Sequence, residues 1–117
     1  MDKLIDLDTV AAELERRRAV WTAAGFTVGP LTWRDAAAGW PQPLVTDRSA
    51  VIDPESVGVR LRDDGQEAEL VLWTGGWADL TALIAGKYVD EAPEFGDVAA
   101  CVAVADDLFG RLRGLRR

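Results

Sequence analysis

The sequence contains no histidine and a single cysteine, Cys101. Histidine is the commonest general base near neutral pH and the commonest transition-metal ligand. Without it, and with one thiol, the chain can form neither an internal thiolate–imidazolium pair nor a Cys/His zinc site. A lone cysteine cannot close an internal disulfide either, which fits a reducing compartment. No apolar run approaches the roughly 18 residues that cross a bilayer. Residues 1–8 lack the basic start and apolar stretch of a signal peptide, so the expected location is the cytoplasm, with no membrane contact. Glycine-rich phosphate loops are missing too: Gly75 and Gly76 read as a turn. Cations are outnumbered, 13 Lys+Arg against 20 Asp+Glu, for a net charge of −7. With no basic stripe to release counterions, nucleic acid is excluded as a partner.

What is present suits a globular chain. Of 117 residues, 49% are hydrophobic, enough for one core and one domain over residues 1–117. The organising stretch is 57–80. Val57, Val59 and Leu61 alternate with Arg60 and Arg62. Asp64 and Gly65 follow, a tight-turn pair in which glycine supplies positive φ. The second run places Ala68, Leu70 and Leu72 on one face and Glu67, Glu69, Val71 and Trp73 on the other. After the Gly75–Gly76 turn, a third strand is expected from Trp77 to about residue 81, completing an antiparallel meander over 57–81.

An amphipathic helix is expected over about 8–24. Asp8 is its cap, Val10, Leu14, Val20, Trp21 and Ala24 its apolar stripe, and Gly25 its stop. Arg16, Arg17 and Arg18 read as a solvated face paired with Glu13 and Glu15. Residues 26–33 read as an edge strand broken at Gly29 and Pro30. Residues 34–48 are irregular and 49–53 a short strand. Residues 88–92 form a short extended piece. Asp97 caps a second helix, whose stripe of Val98, Cys101, Val102, Ala105, Leu108, Phe109 and Leu112 is the cleanest periodicity in the chain. Gly114 and the terminal arginines suit its C-terminal end. Cys101 lies on the stripe and reads as buried and inert. The fold class is α+β: an antiparallel sheet of about four strands, with an N-terminal and a C-terminal helix packed on one face.

The chemistry-bearing residues are carboxylates and tryptophans. Asp63, Asp64, Glu67, Glu69, Asp79, Asp90, Glu91 and Glu94 fall in turns or on polar faces. They read as solvated surface or as a surface complementary to a basic partner, with no metal, cofactor or catalytic residue assigned. Of the five tryptophans, Trp21 fits the core. Trp73 points to the wet side if Leu70 and Leu72 point inward. Trp40 lies in the irregular segment, and Trp33 and Trp77 near strand ends. Aromatic anchors beside acidic residues fit a protein-binding surface; the alternative is that Trp73 and Trp77 lie capped beneath the 34–48 loop.

The stretch over 57–80, then Val89, Asp90, Glu91 and Ala92, then a helix carrying Asp106, Asp107 and Leu108, resembles small immunity proteins of bacterial polymorphic-toxin systems, the TriTu family. The resemblance covers residues 57–112; the 34–48 insertion with Trp40 matches nothing in it. It implies a non-enzymatic cytoplasmic inhibitor that binds a cognate toxin domain and blocks its active site or substrate surface. The expected contacts are Asp63, Asp64, Glu67 and Glu69, with Trp73, Trp40 and Trp77 as anchors. The toxin is expected to be basic and the chain to be monomeric when bound. An acidic secretion or folding chaperone, and a small-molecule or enzymatic domain built on carboxylates, are the other readings.

Overall fold

The computed structural model describes residues 3–114. Helix α1 is Leu7–Ala23 and helix α2 is Val98–Leu112. Between them run strands β1 (Thr27–Val28), β2 (Thr32–Asp35), β3 (Pro54–Asp63), β4 (Gln66–Trp73), β5 (Trp77–Ile84) and β6 (Lys87–Glu91). They form one antiparallel sheet in the order β1-β3-β4-β5-β6, with β2 also paired to β3. The class is α+β, as expected. The strands number six rather than about four, because the broken 26–33 run makes two short strands and residues 87–91 pair with β5.

Helix α1 starts one turn-half earlier than expected. Asp6, not Asp8, is the cap, its carboxylate accepting from the backbone N–H groups of Asp8 (3.1 Å) and Thr9 (3.3 Å). The shift buries Leu7 and frees Asp8 to take the Arg48 guanidinium at 2.7 and 3.0 Å. The buried stripe is Leu7, Val10, Ala11, Leu14 and Trp21; Val20, expected on it, is 56% exposed. Half-buried arginines lie beside it, their guanidinium groups held by partners on other elements. Arg17 reaches Asp106 of α2 at 2.7 Å, and Arg18 donates to the Val28 carbonyl of β1 at 3.1 Å. Both keep the expected pairing with Glu13 and Glu15. They also tie α1 to α2 and to the sheet, so two of the three arginines are tertiary clamps. The helix ends on Gly25, with the Gly25 and Phe26 N–H groups donating back to Thr22 (3.0 Å) and Trp21 (3.1 Å). That closure swings Phe26 inward against Phe109 of α2, ring centroids 5.8 Å apart.

Residues 49–53 form no strand. Asp47 accepts from the N–H and hydroxyl of Ser49 and bends Arg48–Ala50 into a 3-10 turn, since a local side-chain acceptor competes with the ladder. Strand β5 runs on to Ile84, past the expected end near 81, because Ala85 (φ 51°) and Gly86 (φ 78°) make a two-residue hairpin turn with both φ values positive. Helix α2 is capped by Asp97, which accepts from Ala100 N–H at 2.8 Å, and it buries Cys101, Val102, Ala105, Leu108 and Leu112 as its spacing predicts. Arg116 and Arg117, expected to suit its end, lie outside the described residues.

Both helices cover one face. The core joins their stripes to Val57, Val59 and Leu61 of β3, Ala68, Leu70 and Leu72 of β4, and Ala78, Leu80 and Ala82 of β5. The alternation in each strand leaves the opposite face without a covering helix. Among the described residues no helix is long and apolar enough to cross a membrane.

Candidate functional site

The uncovered face is read off the strand register, since directly opposed residues share a face. Toward the Asp64–Gly65 turn it presents Arg62 opposite Glu67, and Glu67 opposite Leu83, which faces Tyr88. The next row sets Arg60 against Glu69, and Glu69 against Thr81. Arg60 Nε donates to Glu69 at 2.9 Å. The sheet twist makes these rows line an open cleft of about 410 Å³. Its charge is mixed rather than acidic, because each glutamate has an arginine directly across the strand pair.

At the other end the rows become aromatic. Trp73 of β4 faces Trp77 of β5, and the indoles stack at 5.8 Å and 14°. The Arg34 guanidinium of β2 lies 5.8 Å from the Trp73 ring and 5.3 Å from the Trp40 ring. Arg34 thus meets two indoles, Trp40 and Trp73, and a third, Trp77, stacks on Trp73. Trp73 Nε1 donates to Asp79 at 3.0 Å, which fixes that ring. Arg34 Nε and Nη1 are shielded from solvent and have no hydrogen-bond acceptor among the described residues. Trp40 is 79% exposed.

Each member is positioned by a specific local device. Trp77 follows the Thr74–Gly76 turn, where Gly76 adopts φ 103°. A Cβ on Gly76 would lie 2.9 Å from the Phe95 carbonyl. Phe95 N–H donates to the Gly76 carbonyl and Ala78 N–H to that of Pro93, both at 2.9 Å, so residues 93–95 brace the strand start. The Trp40 loop is held from Asp35. The Gln42 side-chain amide exchanges hydrogen bonds with the Asp35 backbone at 2.9 and 2.8 Å. The buried Asp35 carboxylate accepts from the N–H groups of Ala37, Ile52 and Asp53, each at 2.9 Å. Those backbone bonds, from Ile52 first and then Asp53 and Ala37, hold the Asp35 pKa below its ordinary value. Beyond Gln42, Trp33 and Val45 exchange backbone bonds at 2.7 and 3.1 Å, closing the loop.

The seven residues expected to meet a partner do not form one patch. Asp63 faces the helical side with the α2 end, where Gln66 bonds both its carboxylate and the Leu112 carbonyl. Asp64 sits in the turn. Glu67 and Glu69 lie on the open face, four to six residues along β4 from Trp73, roughly 13–20 Å at the usual strand rise. Trp73 and Trp77 are half-buried on the open face, and Trp40 projects beyond them. Trp21 and Trp33 are sunk in the core, Trp33 with Arg48 over its ring at 5.3 Å. Sequence reading missed Arg34. Its placement depends on the register of β2 against β3, for which no local signal exists. No protein-family model, curated protein or solved structure matches this chain.

Proposed function

We propose that this chain is an immunity protein of the kind it resembles in sequence: a cytoplasmic, non-enzymatic inhibitor that docks its open sheet face on a cognate toxin domain. The observation that supports the reading best is the cluster of Arg34 with Trp40, Trp73 and Trp77 at the end of an uncovered sheet. Tryptophan and arginine dominate interface energetics, and here they stand prearranged, with little side-chain freedom left to lose on binding. The mixed-charge rows at the far end supply the polar rim, and the overall charge of −7 draws in a basic partner over distance.

The test is co-expression with the toxin-like domain encoded beside the gene, followed by co-purification and titration calorimetry. The expected result is a stable complex and protection of the host cell. Trp40→Ala should weaken binding by about tenfold or more while leaving the melting curve unchanged. A complex whose affinity is indifferent to Trp40→Ala and Arg34→Met would remove this face from the interface. Absence of any complex with that neighbour would remove the immunity reading itself.

A further inference from the structure

Strand β6 closes one end of the sheet and has no strand on its outer side. It is 5 residues long, carries no proline or bulge, and Tyr88 on it is 84% exposed. The turn at Ala85 and Gly86 fixes which of its backbone groups are free. In a two-residue hairpin the flanking pair, Ile84 and Lys87, is hydrogen-bonded, and bonded and unbonded pairs then alternate. Lys87, Val89 and Glu91 therefore turn their N–H and C=O groups toward β5. Tyr88 and Asp90 turn theirs outward.

Edge strands of this kind are normally guarded by charge. Here the guards are self-complementary. If a second copy pairs antiparallel about a two-fold through Val89, Tyr88 and Asp90 of opposite copies exchange their free backbone groups. In the same register Lys87 lies opposite Glu91, so both cross-edge pairs on the helical side join opposite charges. Glu91 already accepts from Arg111 at 2.9 and 3.0 Å, which holds its carboxylate in place on that side. Shifting the register by one residue offers backbone groups already used by β5. Centring it on Asp90 sets two carboxylates face to face, which is unfavourable. One register satisfies both the backbone and the charges.

We propose that this chain self-associates as a two-fold dimer through β6 in the register that sets Lys87 opposite Glu91. The pairing joins two sheets into one and leaves the Trp40 end of each copy at the far margins. A single short strand buries little area, so the dimer is weak, in the micromolar range. The inference does not rest on the immunity reading, and its test uses this chain alone.

Sedimentation velocity over a concentration series should show a reversible monomer–dimer equilibrium. Asp90→Pro removes an outward N–H, and Lys87→Glu sets like charges across the edge. Each should raise the dimer dissociation constant by about tenfold or more, with far-UV circular dichroism unchanged. Arg16→Glu makes the same charge change on an exposed face of α1 and should leave the equilibrium as it was. A chain that is monomeric throughout overturns the proposal. So does a dimer that survives both Asp90→Pro and Lys87→Glu, which would place the contact on another face.

Discussion

At the scale of single residues, two turn positions report on how tightly the strand ends are set. Gly76 combines positive φ with a carbonyl where its Cβ would be. Gly76→Ala should therefore cost about 2 kcal/mol or more, read from urea unfolding; a loss under about 0.5 kcal/mol would show that the turn relaxes around the methyl. Ala85 is the reverse case. It already sits at φ 51° and bears a Cβ, so Ala85→Gly should raise stability by about 1 kcal/mol. Cys101 is fully buried, and burial pushes its thiol up to about 12. It should resist Ellman's reagent at about pH 8 until denaturant is added. Immediate labelling of the folded chain would contradict its place in the core. Its inertness was legible in the sequence, because one position on a 3.6-residue stripe decides it. The role of Arg34 was not, because the two indoles it meets belong to different segments.

At the scale of elements, stability divides between local and long-range devices. Helix α2 is local: Asp97→Ala removes one capping bond and should cost about 1 kcal/mol, measured as a shift in the denaturation midpoint. The segment from Asp35 to Asp53 is long-range, because Asp35 bonds backbone groups seventeen and eighteen residues away. Its carboxylate is held below its ordinary pKa in the folded chain. A depressed folded pKa gives stability that is present above the unfolded value, about 4, and lost as pH falls through the folded one. Asp8, Glu13, Glu15, Asp47 and Glu91 are lowered too: Asp47 by Ser49, the others by arginine partners. Stability should fall on acidification below about pH 4, and Asp35→Asn should be less stable at neutral pH with a shallower fall. An unchanged slope would mean that the Asp35 contacts are weak in solution. The same contrast explains what could be read from the chain. The 57–73 hairpin and α2 carry their own periodicity and turn residues, so both were found. The pinned Trp40 loop depends on Asp35, whose partners lie remote in sequence, and the 3-10 turn at Arg48–Ala50 on a short-range Asp47 bond that competes with an otherwise strand-like run. The late end of β5 was missed because apolar residues near a strand end fit strand and helix alike.

At the scale of the whole molecule, the charge of −7 is spread rather than gathered on the open face, where arginines answer the glutamates. On the proposed immunity reading, steering toward a basic toxin domain should then be a property of the total field. Association should slow as salt rises, and Glu67→Lys combined with Glu69→Lys should lower the on-rate and flatten that dependence. Stopped-flow traces that ignore both salt and the double substitution would show that encounter owes nothing to charge.

Because both helices lie on the same side of the sheet, positions such as Thr27, Arg60, Thr81 and Tyr88 can be exchanged without disturbing a single core contact. Gene duplication could then retune what the chain recognises one residue at a time, and each intermediate would still fold. A scaffold of this kind separates the residues that recognise from the residues that hold the fold.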